Sequence, residues 1–290
     1  MLSQPEVNAW LEEFLEAYAA PVDFGRLKAI MSKRVSVELP LEPKIKKFED
    51  FEKKQGPVIS AYKSAKRTLP KNAPVIACAA KKDEVDVISP QQCNFVWTKE
   101  LCEQYPNVNL GPGEKAKIQM YDRFKLSSKK ECSHYAPIFS PADFKGQDRK
   151  DDEDGWGWKL LKALQEGTAG DMIDDAAVVA TAAGKANKEA FFENEKKLQD
   201  LSYSMIGTLQ PVITMPDKDG VSEAIVPLAR TFKWGDGMTE AFPGNDFAAG
   251  AEVRMVSYEE LTVKAGKITK IHSHMDPATC IKPAGKSGAN

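Results

Sequence analysis

The chain has 290 residues, of which 42% are hydrophobic and 28% charged, and its net charge is −2. These values are typical of a soluble globular protein with about two domains. No apolar run comes close to the roughly 18 residues that a membrane span needs, and no Arg-rich stripe with interleaved aromatic residues occurs. We therefore predict no membrane span and no binding to nucleic acid.

Charge divides unevenly along the chain. Residues 1–150 carry 25 basic and 20 acidic side chains, whereas residues 151–290 carry 15 basic and 22 acidic ones. Because the two halves have opposite net charge, we expect them to attract each other or a protein partner.

The five cysteines are scattered and form no CxxC pair, and no His/Cys cluster has the spacing of zinc ligands. Reduced thiols are therefore expected, and we predict no metal and no organic cofactor. The acidic, amphipathic N-terminal stretch differs from a secretory signal or a transit peptide. We expect a soluble intracellular protein of the cytoplasm or of an organelle interior. The N-terminal stretch is also compatible with a leader peptide that has already been removed.

In the first half the hydrophobic pattern changes from helical to alternating. Apolar residues recur three and four positions apart at the start, Asp23 can cap the second helix, and longer alternating stretches follow. The predicted elements are helices at 5–19 and 24–32, a strand at 34–40, a helix at 44–55, and strands at 74–80, 85–98, 115–127 and 131–139. The segment 56–73 is left unassigned. Helices followed by antiparallel strands are typical of the α+β class.

The second half repeats this order after a charged, apolar-poor stretch. The predicted elements are helices at 156–164 and 169–175, a strand at 176–183, a helix at 185–200, and strands at 202–214, 221–234, 251–264 and 266–275. A polar, apolar-poor stretch is typical of a domain boundary. We therefore predict a first domain at 1–145, a linker at 146–154 and a second domain at 155–290.

The two halves also share sequence. Pro74–Trp97 and Pro211–Trp234 are identical at seven of twenty-four positions, at a constant offset of 137. Further along, residues 117–127 align with 252–262 at offset 135, and the last strands align at offset 136. Self-similarity at a fixed period indicates a duplicated domain.

This order of elements, with the hairpin Lys264–Ala278, resembles the nuclear-transport-factor-2-like superfamily, and within it the SnoaL-like and ketosteroid-isomerase-like branches. The resemblance implies two tandem cone-shaped α+β barrels, each with three N-terminal helices packed in a strongly curved, mostly antiparallel sheet. It also implies an apolar pocket in each cone, and two cones packed against each other as a pseudo-dimer.

The last strand of the second half carries His272 and His274 on one face. Enzymes of the superfamily use a buried Asp, His or Tyr as acid or base, so the resemblance implies that these histidines are catalytic and that Asp276 orients them. The competing interpretation is a polar outer face or a buried interface, because alternation does not decide which face looks into the cone. Ala136 and Ile138 stand at the corresponding positions of the first half, which would confine catalysis to the second domain.

Six further residues are candidates for the lining of a pocket. They are Glu38, Tyr121, Tyr135, Asp171, Asp175 and Tyr258. The tyrosines lie in predicted strands, and the two aspartates lie at the predicted end of a short helix, where a cone would open. Acidic residues at a helix end, or opposite an apolar strand face, more often point to water.

The sequence predicts that an apolar small molecule is bound or processed in a cone pocket, with cofactor-free proton transfer of isomerase, cyclase or dehydratase type in the second domain. The alternative is a non-catalytic scaffold that assembles with protein partners. A further alternative follows from the histidines, since the last strand is similar to that of the iota-class carbonic anhydrases, metal-free hydratases of the superfamily. Only His272-Ser273-His274 stands where that class has consecutive histidines followed by serines.

Overall fold

The computed structural model of the chain divides into two compact units, Met1–Lys150 and Asp151–Asn290. The residues that it describes are 2–39, 44–62, 64–70, 74–81, 83–139, 144, 155–181, 184–201, 204–207, 212–215, 219–235, 238–242, 244–275 and 281–283. The predicted linker at 146–154 lies outside them. None of the helices in these ranges is long and apolar enough to span a membrane.

The first unit begins with two helices whose ends are capped as their sequences suggest. The Glu6 carboxylate accepts a hydrogen bond of 3.0 Å from the Ser3 N–H, and the Asp23 carboxylate accepts one of 3.0 Å from the Arg26 N–H. The elements of this unit are α1 (Gln4–Ala17), α2 (Phe24–Ile30), β1 (Met31–Val37), α3 (Phe48–Ala61), β2 (Lys66–Thr68), β3 (Ile76–Lys81), β4 (Glu84–Val96), α4 (Lys99–Gln104), β5 (Lys115–Ser127) and β6 (Cys132–Ile138).

The second unit has a similar order with a shorter second helix. The elements are α5 (Trp156–Glu166), a 3₁₀ helix (Ala169–Met172), β7 (Ile173–Thr181), β8 (Gly184–Ala186), α6 (Lys188–Leu201), β9 (Ser204–Gly207), β10 (Ile213–Thr214), β11 (Val221–Lys233), α7 (Met238–Ala241), β12 (Glu252–Lys264), β13 (Lys267–His274) and β14 (Ile281–Pro283). The α-helix predicted at 169–175 is wrong in its second half, because Ile173 already pairs with Ile268 of β13 as a strand.

Each unit contains one mixed sheet. The first has the order β1-β6-β5-β4-β2, with β3 also paired to β4, and the second has the order β10-β11-β12-β13-β7-β8, with β9 on β11 and β14 on β12. The pairs β1–β6 and β7–β13 are parallel, and the other pairs are antiparallel. The two end strands of each path do not pair with one another among the described residues, so neither sheet closes into a barrel.

The pairing of the long central strands fixes how the two units correspond. Cys93 of β4 pairs with Ile118 of β5, and Arg230 of β11 pairs with Met255 of β12. The numbers of Cys93 and Arg230 differ by 137, and so do those of Ile118 and Met255. The alignment of these strands at offset 135 is therefore wrong by two residues. A shift of two keeps every side chain on the same face, so alternation could not reveal the error.

One face of each sheet packs against the helices, and we call it the inner face. In the first unit Phe124 of β5 packs edge-on against Trp10 and Phe14 of α1, with ring centroids 5.1 and 4.9 Å apart. In the second unit Leu261 of β12 lies in one buried cluster with Leu160 of α5. Because side chains alternate along a strand, the residues next to Phe124 and Leu261 point to the opposite, outer face.

Candidate functional site

Both inner faces carry a buried carboxylate at the same place in the sheet. Asp122 of β5 pairs with Ser89, and Glu259 of β12 pairs with Val226, so the two acids correspond at offset 137. Asp122 is 0% exposed and Glu259 is 3% exposed. A buried carboxylate needs a charged or hydrogen-bonding partner, and the two units provide different ones.

In the first unit the partner is Arg67 of β2. Its Nη1 atom lies 2.7 Å from Asp122 Oδ2, 3.1 Å from Gln91 Oε1 and 3.4 Å from the Tyr135 hydroxyl. The guanidinium carbon lies 4.0 Å from the centre of the Tyr18 ring, which is cation–π geometry. Arg67 therefore joins the carboxylate to two buried phenols.

Burial shifts the acidities of this group. Loss of hydration raises the pKa of Asp122 to about 6, although the Arg67 charge and hydrogen bond oppose the rise. Loss of hydration also raises the pKa of Tyr18 to about 12, so this phenol is neutral near neutral pH.

A cavity of about 90 Å³ lies beside Arg67. The Arg67 side chain lines it together with Tyr18, and its other walls include Cys93, Ile118 and Phe144. One water needs about 10–15 Å³ of such space, so the cavity has room for several waters or one small molecule. Its walls are mostly apolar and aromatic, and they include one guanidinium and the phenols of Tyr18, Tyr62 and Tyr105.

In the second unit the corresponding space contains a different ionic group. Arg230 of β11 forms a buried ion pair with Glu195 of α6. Glu259 accepts hydrogen bonds from the Ser257 hydroxyl at 3.0 Å and from the Ser273 hydroxyl at 3.1 Å. Loss of hydration raises the pKa of Glu259 to about 7, with a contribution from the negative charge of Glu195.

The predicted histidines lie on the outer face of the second sheet. Glu259 and Ser273 face inward, and their neighbours Glu260, His272 and His274 therefore face outward. His274 is buried, and the other two are partly exposed. The carboxylate beside the histidines is Glu260, which pairs directly with His272 across the hairpin. Asp276, predicted for this role, lies outside the described residues.

Tyr135 is the one predicted pocket residue with a described contact to the Arg67 group. Tyr121 and Tyr258 are fully buried, but they lie on outer faces, next to Asp122 and Glu259. Glu38 follows β1 and accepts a hydrogen bond from Lys44.

The two predicted aspartates lie at an exposed edge of the second unit. Asp171 is exposed in the 3₁₀ helix, and its carbonyl oxygen accepts a hydrogen bond from Lys267. Asp175 is an exposed residue of β7, bonded to Lys188 at 2.6 Å. The placement of Asp175 at a helix end is therefore corrected, and neither residue lines the cavity of the first unit.

Comparison with known proteins gives structural matches alone, because no profile of a protein family and no curated protein matches the chain. A nuclear transport factor 2 superfamily protein from Salmonella enterica serovar Typhimurium is 11% identical, with 52% of this chain and 96% of that chain covered and a TM-score of 0.38. A proposed SnoaL-like polyketide cyclase from Jannaschia sp. CCS1 is 10% identical, with coverages of 48% and 89% and a TM-score of 0.35.

In each unit helices come first and a mostly antiparallel sheet follows, as the sequence predicted. Each unit is an α+β fold in which helices pack on one face of a mixed sheet. A third similar structure, a proposed polyketide cyclase from Xanthomonas campestris, is 11% identical with a TM-score of 0.34, and it covers 46% of this chain and 89% of its own. At these TM-scores the similarity supports no conclusion about activity, and the function must be inferred from the geometry of the site.

Proposed function

We propose that the first unit binds a small, mostly apolar molecule in its cavity, with an oxygen atom of that molecule bonded to Arg67. The observation that carries this proposal is a buried guanidinium that lines a cavity with apolar walls. Binding pockets commonly combine apolar walls with a few polar groups that fix the orientation of a ligand.

The guanidinium has donors to offer. A guanidinium has five N–H groups in a planar fork, and the three hydrogen bonds that Arg67 makes to described residues all leave from Nη1. A carbonyl or carboxylate oxygen in the cavity would meet this fork at its edge. The Tyr18 ring against the guanidinium restricts its rotation, which reduces the entropy lost when a ligand binds.

The proposal is binding, because the buried acid of this unit does not line the cavity. Asp122 contacts Arg67 but is not one of the residues that line the cavity. Its role is therefore to hold the guanidinium in place and to balance its charge. The alternative of a scaffold predicts a cone interior filled by aromatic and Met side chains, and the cavity beside Arg67 favours binding over it. Proton-transfer chemistry in the second domain stays a prediction.

The hydratase alternative is not carried into this proposal. It rested on the similarity of the last strand to that of the iota class, of which only His272-Ser273-His274 is present, and both histidines point to the outer face.

Two monocyclic probes test the proposal: benzoate, which carries a carboxylate, and acetophenone, which carries a carbonyl. Ligand-observed NMR with the full chain should detect both, and Ile118→Phe should abolish both signals because the larger ring fills the cavity. Met255→Phe is the matched control, since Met255 occupies the corresponding position in the second sheet. Arg67→Met should weaken benzoate more than acetophenone, because a carboxylate gains more from the guanidinium charge.

Failure of both probes to bind the wild type would contradict the proposal. An equal loss in the Ile118→Phe and Met255→Phe variants would also contradict it, because binding would then not depend on this cavity. Circular dichroism of each variant establishes that it is folded before the NMR signals are compared.

A further inference from the structure

The β12–β13 hairpin brings two imidazoles and one carboxylate together on the outer face of the second sheet. Glu260 and His272 are directly opposite each other, and His274 lies two residues further along β13 on the same face. His274 Nε2 lies 3.2 Å from Glu260 Oε2, and His272 Nδ1 lies 3.6 Å from the same oxygen. One donor atom from each residue lies within 4.8 Å of the other two.

We propose that Glu260, His272 and His274 form a binding site for a divalent transition-metal ion of the Zn²⁺ class. Imidazole nitrogens and a carboxylate oxygen are ligands that Zn²⁺ accepts in tetrahedral sites. Zn–N and Zn–O bonds of about 2.0–2.2 Å place neighbouring donors about 3.3 Å apart. The two distances from Glu260 Oε2 bracket this value, so small side-chain rotations would complete the set.

Burial and charge are compatible with an ion at this place. His274 is 1% exposed at its side chain and Glu260 is 13% exposed, whereas His272 is 24% exposed and leaves a route from solvent. The second half of the chain carries an excess of acidic side chains, which favours a cation. Three protein ligands leave one tetrahedral position for a water or a small anion.

A hydrogen-bonded cluster without metal is the competing explanation, and one feature favours the metal site over it. The two imidazole rings lie with centroids only 4.1 Å apart, and both turn a nitrogen toward the same carboxylate oxygen. One hydrogen bond would be enough to hold one ring. Convergence of both nitrogens on one point is the arrangement that a single ion requires.

The first unit has no counterpart of this site. The pairing of the strands places Arg123, Ala136 and Ile138 at the positions of Glu260, His272 and His274. A guanidinium and two aliphatic side chains offer no ligand for a cation. The site is therefore specific to the second unit, although the histidines alone did not predict it from sequence.

Isothermal titration of the chelator-treated full chain with Zn²⁺, and the absorption spectrum with Co²⁺, test the proposal. We expect one ion per chain and visible Co²⁺ bands of a low-coordinate site. His272→Ala and Glu260→Gln should each weaken Zn²⁺ binding by about tenfold or more, since loss of a ligand costs at least as much as loss of a group that orients one. His134→Ala is the matched control, because His134 is the third histidine of the chain, and it should leave the affinity unchanged.

Absence of stoichiometric Zn²⁺ binding to the wild type would overturn the proposal. Equal weakening by His134→Ala and His272→Ala would also overturn it, because the binding would then not depend on the outer face of the second sheet. His272→Ala is preferred to His274→Ala because the more exposed side chain is less needed for folding, and hydrogen exchange of β12 reports whether the variant keeps its sheet. A folded His272→Ala variant with wild-type affinity would equally exclude the site.

Discussion

The interiors of the two units keep the same carboxylate position and supply the balancing cation from different places. In the first unit Arg67 comes from the short edge strand β2, and in the second Arg230 comes from the long strand β11. Cys93 occupies the position in β4 that corresponds to Arg230, and Cys93 lines the cavity. A small side chain at this point leaves space that a guanidinium would fill.

The same sheet framework can therefore balance its buried acid with an edge-strand arginine beside a cavity, or with a central-strand arginine that also pairs with a helix carboxylate. Glu195 of α6 reaches into the second unit and brings a second acid, so that Arg230 is shared between Glu195 and Glu259 electrostatically. Buried ion pairs of this kind contribute little net stability, but loss of one partner leaves the other without compensation. The comparison can therefore be tested by removing one partner at a time.

Removal of the arginines should have the largest effect, and a larger one in the second unit. Arg230→Met leaves Glu195 and Glu259 without a cation, and we expect a loss of about 3–5 kcal/mol in the free energy of unfolding at pH 8. Arg67→Met leaves only one acid, Asp122, without a cation, and we expect a loss near the lower end of this range, about 3 kcal/mol. Urea-dependent hydrogen exchange of peptides from β5 and β12 measures the two units separately.

The same experiment at pH 5 is the control for the arginine variants. Protonated carboxyls need no cation, so the costs of both substitutions should shrink at the lower pH. Equal costs in the two units, or costs that do not depend on pH, would break the proposed difference between one acid and two.

Much of the fold could be predicted because duplication and alternation both leave marks in the sequence. The offset of 137 first seen between Pro74–Trp97 and Pro211–Trp234 holds through the whole β4–β5 and β11–β12 pairing. The fold of the segment 56–73 could not be predicted, because α3 continues through Pro57 and β2 has only three residues. Arg67, which carries the proposed function, lies in that segment.

The candidate site was harder to predict than the fold, because it depends on which face of each strand packs against the helices. Asp122 stands between Tyr121 and Arg123, and alternation alone does not tell which of the three is buried in the cone. Similarly, the carboxylate beside the histidines is Glu260, across a hairpin, and sequence proximity suggested Asp276 instead. Strand pairing was the missing information in both cases.

Replacing Asp122 and Glu259 with neutral side chains should show how the two units differ in the pH dependence of their stability. The native pKa values of about 6 for Asp122 and about 7 for Glu259 exceed the ordinary values of 3.8 and 4.5, so the native state binds more protons than the unfolded state in between. The free energy of unfolding therefore falls as pH rises from about 4 to 6 for Asp122, and from about 4.5 to 7 for Glu259.

Asp122→Asn and Glu259→Gln should each remove their own part of this fall. Relative to the wild type, each variant should gain about 1.4 kcal/mol of stability for each pH unit through which the pH rises within its window. Denaturant unfolding at pH steps from 4 to 8 measures the gain. A gain for Glu259→Gln that stops at the same pH as that for Asp122→Asn would contradict the different environments of the two acids.

Two glycines in helices should respond to alanine to very different extents. A Cβ on Gly157 of α5 would lie 2.1 Å from Val212 Cγ1 and 3.1 Å from Val226 Cγ2, so Gly157→Ala should cost about 1–3 kcal/mol by overpacking. A Cβ on Gly56 of α3 would lie 3.7 Å from the Phe24 ring, which is ordinary contact. Gly56→Ala should therefore change the stability of the first unit by less than about 1 kcal/mol, because the better helix propensity of alanine is opposed by the clash of its Cβ with the following Pro57.

A double substitution distinguishes overpacking from other causes of the Gly157→Ala effect. Val212→Ala removes the methyl group that the new Cβ would meet, so Gly157→Ala should cost less in the Val212→Ala background than in the wild type. Thermal unfolding of the wild type, the two single variants and the double variant gives the coupling energy. Strict additivity would mean that helix α5 does not pack on Val212 as closely as the structure indicates.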